Sequence, residues 1–273
     1  MKELARRALK ASARVADRIR PPGAGVVVLC YHRVGGGSGL QLDLDRGRFE
    51  DQIAALADGG AVLSLDDALA ALRADTPPAD GPPARVVVTF DDGTADFADT
   101  ALPVLARHRI PATIYVATAF VEEQRPFPYG APPLSWDALR DAVATGLVTV
   151  GSHTHTHALL DRVPDAVVVE ELDRSVELIG ARLGVRPRHF AYPKSLAGSR
   201  AADAAVRARF SSAALAGTHA NAYGRTDPHR LARSPVQASD DTAGFAAKAR
   251  GGMRLEDDVR RAVNRLRYAR AAS

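Results

Sequence analysis

Short apolar runs alternate along this chain, from residue 24 onward, with stretches whose apolar positions fall three and four apart. The runs at 26–31, 86–90, 112–117, 147–150, 190–192 and 211–215 read as buried strands. A helix is predicted over 48–58, with Phe49, Ile53 and Leu56 on one face and Gly59-Gly60 as its stop. Another follows Ser64, whose side chain is placed to cap Leu65–Leu72 with Asp67 three residues on. Further helices are expected to end near His108 and to cover Trp136–Ala144, Asp165–Leu183 and 199–209, with Gly184 closing the long one. This alternation predicts an α/β fold built from βα units around a mostly parallel sheet. The glycine-rich stretch 35–39 reads as a connection or a lid, and 75–83, with four prolines, as an exposed turn-rich linker.

A chain of 273 residues can hold one large α/β domain, and a barrel of that size needs no second. Residues 1–20 carry seven basic and two acidic side chains and 246–273 carry eight and three, so a mildly acidic body lies between basic ends. The organisation expected is therefore a basic amphipathic segment at 1–23, a domain over 24–245 and a basic helix over 246–273. The ends are read first as solvated helices, and no nucleic-acid module accompanies them, so no nucleic-acid partner is expected. Leu4, Leu9, Val15 and Ile19 share a helical face bordered by arginines, which leaves room for a peripheral membrane contact. With no uninterrupted apolar signal segment and no run of ~18 apolar residues, a cytoplasmic enzyme is the default expectation. The lone Cys30 reads as a small core residue rather than a catalytic thiol.

Chemistry gathers at two strand ends. Asp91-Asp92-Gly93 follows the strand at 86–90; on an extended backbone the two carboxylates would diverge and serve different functions, one holding a metal and the other taking a proton. After the strand at 147–150 comes Gly151-Ser152-His153-Thr154-His155-Thr156-His157. His153 and His157 share a face if the chain turns helical there, and His153 and His155 share one if it stays extended. Either pair with one carboxylate makes a set that suits Zn²⁺ or another first-row divalent ion such as cobalt, nickel or manganese. Strand ends converge on one rim in α/β barrels, which is where such folds place their chemistry. Trp136 follows a capping Ser135 and reads as packing at a helix start, whereas Phe127 and Tyr129, in a proline-rich loop after a strand, are better placed to touch a substrate at the rim.

Thr89-Phe90-Asp91-Asp92-Gly93, Ser152-His153-Thr154-His155-Thr156-His157 and Arg188-His189-Phe190-Ala191-Tyr192-Pro193, in this order, resemble the motifs of the polysaccharide deacetylases, the carbohydrate esterases that include the nodulation chitooligosaccharide deacetylases. The resemblance runs from about Val26 to Pro235 and implies a distorted seven-stranded (β/α) barrel acting on N-acetylated glycans. It further implies a metal held by Asp92, His153 and His157, Asp91 as general base, and Tyr192 and Pro193 at the substrate, with a backbone N–H near Tyr192 for the oxyanion. His155 would then be a loop residue or a support for the ligands.

Three departures from the family pattern carry their own expectations. The arginine that often pairs with the base inside the third motif is replaced by Ala191, and Arg233 could supply that guanidinium from a neighbouring strand. No late Leu-x-His supplies a general acid; of His32, His219 and His229, His32 lies just past the first strand and is the leading candidate. Lys194-Ser195 stands where the third motif usually ends in an aromatic residue and glycine, altering the groove's shape or charge. The competing readings are an amidohydrolase-like barrel using His153-Thr154-His155 as its ligand pair and a catalytically idle carbohydrate-binding relative.

Overall fold

The computed structural model describes residues 2–74 and 84–269. In chain order the elements are α1 (Lys2–Ile19), β1 (Gly25–Tyr31), β2 (Arg33–Val34), β3 (Asp43–Leu44), α2 (Arg46–Asp58), α3 (Leu65–Leu72), β4 (Ala84–Phe90), α4 (Leu102–His108) and β5 (Ala112–Val116). They continue with α5 (Thr118–Glu123), α6 (Trp136–Ala144), β6 (Val148–Ser152), α7 (Asp165–Leu183), β7 (His189–Ala191), α8 (Arg200–Arg209), β8 (Ser212–Ala216), β9 (Leu231–Pro235), α9 (Thr242–Ala249) and α10 (Arg254–Ala269). Strands β1, β4, β5, β6, β7, β8 and β9 close a parallel barrel in that order, and β2 and β3 form a separate small ribbon. The α/β barrel expected from the alternation is the fold. The linker expected at 75–83 lies outside the described residues.

Strand residues of one parity point outward and those of the other inward. Val27, Leu29, Tyr31, Val86, Val88 and Phe90 join Phe49 and Ile53 of α2 in the outer core. Val26, Val28, Val87, Tyr115, Ala191 and Ala214 form the inner set, packed with Leu65, Leu69 and Leu72 of α3. Tyr115 needs room inside the barrel: a Cβ at Gly151 would stand 2.6 Å from its ring, so the histidine motif begins with a glycine. Ser64 and Ser135 cap α3 and α6 as expected, each accepting the backbone N–H three residues on at 3.1 Å. Gly184 ends α7 in the left-handed conformation at φ 70°.

The seventh strand, Leu231-Ala232-Arg233-Ser234-Pro235, has too little apolar character to announce itself, yet it closes the ring by pairing with both β8 and β1. The terminal helices are solvated on one face only. Leu4 and Ile19 of α1 are exposed, but Ala13 is fully buried, and Lys10 makes ion pairs with Asp240 and with Glu256 of α10. Lys248 of α9 reaches the same two carboxylates, so two ammonium groups and two carboxylates neutralise each other in a buried cluster. A boundary at 245/246 falls inside α9 rather than between elements. No helix among the described residues is long and apolar enough to cross a membrane.

Candidate active site

Following the inward parity of each barrel strand past its carboxyl end gives Cys30 and His32 from β1, Asp91 from β4, and His153 from β6, with Arg233 on β9 below them. His32, Asp91 and His153 line a pocket of about 380 Å³, to which the 118–133 region adds Phe120, Phe127 and Tyr129, while Cys30 and Arg233 lie beneath it.

Asp91 and Asp92 do not diverge. Asp92 adopts φ 72°, and Gly93 donates its N–H back to the Asp91 carbonyl at 2.9 Å, so the turn brings both carboxylates over the barrel mouth. The histidines meet by a route that neither a helix nor a strand supplies: Thr154 and His157 are left-handed at φ 65° and 66°, which folds the segment so that the two imidazole centroids lie 4.9 Å apart. Left-handed backbone in non-glycine residues costs on the order of 1–2 kcal/mol per residue and gathers at functional sites. Glu171 of α7 braces the fold of this segment, accepting the His155 and Thr156 N–H groups at 2.9 and 2.8 Å and the Thr156 hydroxyl at 2.6 Å. His155 turns away to Thr118 Oγ1 at 2.9 Å, so the His153-Thr154-His155 ligand pair of the amidohydrolase-like reading does not form.

Among the described residues two groups bring metal-binding atoms together: Asp92 with His153 and His157, and Cys30 with His32 and Asp91. In the first, Asp92 Oδ1 lies 3.6 Å from His153 Nε2 and 3.5 Å from His157 Nε2. Ligands about 2.1 Å from one ion at tetrahedral angles are roughly 3.4 Å apart, so these atoms fit a single divalent cation. Ala191 O lies 2.7 Å from His153 Nδ1, which directs the proton to that nitrogen and leaves Nε2 its lone pair. Burial pushes His153 below its usual value and, with help from His153 and Lys194, His157 down to about 4, so both rings are neutral near pH 7. Tyr129 donates to Asp92 Oδ2 at 2.5 Å and leaves Oδ1 to the histidines.

The second group does not fit an ion. Asp91 is gripped by Arg233, Nη1 to Oδ1 at 2.5 Å and Nη2 to Oδ2 at 2.8 Å, and burial pushes the Cys30 thiol far up, away from thiolate. Burial alone would raise the Asp91 carboxyl, but Arg233, His153 and His32 override it and hold it well below the usual carboxylate range. The expected guanidinium thus reaches Asp91 from β9, itself stacked over Tyr115 at 5.2 Å. His32 Nε2 lies 3.9 Å from Asp91 Oδ2 on the pocket wall, whereas His229 bonds the Phe210 carbonyl and His219 is not among the lining residues.

Two substrate contacts need correction. Tyr192 is fully buried in a cluster with Phe190 and Phe210, its hydroxyl donates to Asp203 at 3.2 Å, and its own N–H is committed to Ala214 O at 3.1 Å. Pro193 is buried behind it and carries no N–H; Lys194 and Ser195 line the pocket instead. Tyr192 has the outward parity of β7, a signal that was present in the sequence and outweighed by the motif. Phe127 lines the pocket but is only 4% exposed, stacked on Phe120 at 4.4 Å. Trp136 packs at the start of α6, as expected, and donates to Glu122 at 2.7 Å. Cys30 is buried as expected and also donates to Asp91 at 3.4 Å, whereas Arg260 of α10, on the pocket wall, escaped the sequence reading because its contact has no local signature.

The polysaccharide deacetylase family model matches residues 79–213, about half of the chain. Curated relatives include a poly-beta-1,6-N-acetyl-D-glucosamine N-deacetylase of Staphylococcus aureus, 28% identical over 123 residues that make up 42% of each protein. A chitooligosaccharide deacetylase of Bradyrhizobium sp. is 37% identical over 110 residues, 40% of this chain and 45% of that protein. The matched region thus spans less than half the length of these relatives. Among solved structures, IcaB from Ammonifex degensii superposes with TM-score 0.71 at 28% identity, covering 84% of this chain and 97% of that one. The deacetylase PplD of Streptococcus pyogenes shares the fold, with TM-score 0.71 at 20% identity over 83% and 99% of the two chains. Motifs, barrel and family match coincide on the same strand ends: this chain belongs to the polysaccharide deacetylase family.

Proposed function

We propose that the chain is a divalent-metal-dependent N-deacetylase that hydrolyses acetamide groups of N-acetylhexosamine units in a glycan or glycan precursor. The observation that carries the reading is the pairing of a buried, Arg233-clamped carboxylate with a convergent Asp92, His153 and His157 set in one pocket. Relatives that carry the names of glycan N-deacetylases support the substrate class.

Asp92, His153 and His157 would hold the ion, with zinc the first choice for two imidazoles and a carboxylate and cobalt, nickel or manganese as alternatives. Such an ion, when bound, acidifies water and polarises an acyl oxygen. The chain's own groups do the rest. Asp91 accepts the proton that water loses on attacking the acetyl carbon, and Arg233 keeps that carboxylate ionised and fixes its direction. Beneath the pocket Cys30 donates to Asp91, and Thr89 accepts from Arg233. His32 stands near enough to Asp91 to pass a proton to the departing amine, which leaves acetate and a free amino sugar.

The test is acetate release from N-acetylglucosamine oligomers by protein stripped of metal and reloaded with Zn²⁺ or Co²⁺, beside Asp91→Asn and His153→Ala. Release that depends on metal and falls by about 10²-fold or more in both variants is the expected result. No release by protein with stoichiometric metal, across neutral and charged oligomers, would sink the reading.

A further inference from the structure

The wall of the pocket carries two cations that the hydrolysis does not use. Lys194 sits in the loop after β7 at φ 55°, exposed, and makes no ion pair or side-chain hydrogen bond among the described residues. Arg260 arrives from α10, a helix fixed in place by the Lys10–Glu256 ion pair and by the Met253 N–H bonding Asp17 at 2.8 Å. Its Nη2 meets Asp257, which also accepts an ion pair from Arg261 at 3.1 Å, while its Nη1 is buried with no acceptor among the described residues. A buried guanidinium nitrogen without an acceptor is costly, and bidentate oxyanions are what a guanidinium fork matches.

Arg260 is paired with Asp257 through one nitrogen only, and Lys194 has no counter-ion among the described residues. Asp91 is neutralised by Arg233, and Asp92 faces the two histidines. A divalent ion held there would outweigh the single charge of Asp92 and turn the pocket net positive, and a positive cleft attracts anions. The ground-state acetamide is neutral and offers these two cations no full negative charge to bind.

We propose that Arg260 and Lys194 form an anion subsite, so that the preferred glycan carries a carboxylate or a phosphate close to the acetamide that is cleaved. The inference rests on the deacetylase reading for its chemistry but is testable apart from it.

The experiment compares three oligosaccharides of equal length: a neutral N-acetylglucosamine oligomer, one with a uronic acid neighbour, and one with a phosphate at the reducing end. Metal-loaded wild type is expected to show a KM about tenfold or more lower for a charged substrate than for the neutral one, with kcat little changed. Whichever of the two charged substrates has the lower KM identifies the source of the anion. Arg260→Gln and Lys194→Gln, on separate elements, should each reduce the preference several-fold, while Arg254→Gln, an exposed charge lost from the same helix, should keep it. Equal KM values in the wild type, or a preference that survives both pocket variants, would overturn the subsite and leave the deacetylase reading standing. Should no substrate release acetate, that reading has failed, and calorimetric binding of the same oligosaccharides decides the subsite. Tighter binding of a charged one, lost in both variants, supports it; equal binding removes it.

Discussion

Arg233 shows how much of this site hangs on one side chain. It lies 1% exposed inside the barrel, and its guanidinium is the principal counter-charge of an equally buried Asp91. Removing one member of a buried pair leaves an uncompensated charge and costs about 3–5 kcal/mol. Arg233→Met is therefore expected to lower the urea unfolding free energy by about that amount and to abolish acetate release; an unchanged unfolding midpoint would contradict the pairing. At this scale the sequence was partly legible. Asp91, Asp92, His153 and His157 stand in short local motifs, so their meeting at one rim could be read directly. Arg233 could be sought only because the usual motif position holds Ala191. Arg260 was illegible, since its place depends on a helix packing across the barrel mouth. Tyr192 was misread because its proximity in sequence to the rim says nothing of which way its ring turns.

Among elements, α7 has a duty beyond covering the barrel. Its Glu171 holds two adjacent backbone N–H groups of the histidine segment and, with the Ala119 N–H that bonds the His155 carbonyl at 2.8 Å, helps fix the pair of left-handed residues that bring His153 and His157 together. Glu171→Ala should preserve the helix yet weaken metal binding about 10- to 100-fold, read by titration against a competing chelator. Affinity equal to wild type would show that the segment holds its shape unaided. The periodicity of α7 was plain in the sequence, and so were its stop at Gly184 and the caps of α3 and α6. What periodicity could not reveal was that a buried glutamate on that helix faces a loop rather than a counter-ion. Strand β9 was hidden for a related reason: an inward arginine and a closing proline suit a polar barrel mouth and erase the apolar run by which a strand is recognised.

Across the whole molecule, α1, α9 and α10 are knitted by Lys10, Lys248, Asp240 and Glu256, so the chain's first helix helps fix the wall on which Arg260 stands. Elsewhere, His189 links β7 to α3: it is fully buried, bonds Ser212 at 2.9 Å, faces Asp66 at 3.2 Å with Arg188 beside it, and is pushed by burial from 6.5 down to about 4. The unfolded chain therefore takes up this proton first as pH falls, so stability is full above about pH 6.5 and declines toward pH 4. Comparing denaturation at about pH 7 and pH 4.5, the wild type should lose about 2 kcal/mol more than His189→Asn, allowing for the same acid response elsewhere; equal losses would mean the imidazole is not held neutral. The left-handed backbone at Asp92, His157 and Lys194 has a consequence of another kind. Glycine or asparagine would relax that backbone at His157 while deleting a proposed metal ligand, so a single replacement there would gain stability as it forfeits the proposed chemistry. On the proposed deacetylase reading, drift would run downhill toward a sturdier barrel that no longer reacts, and selection for turnover would be what keeps the strained histidine in place.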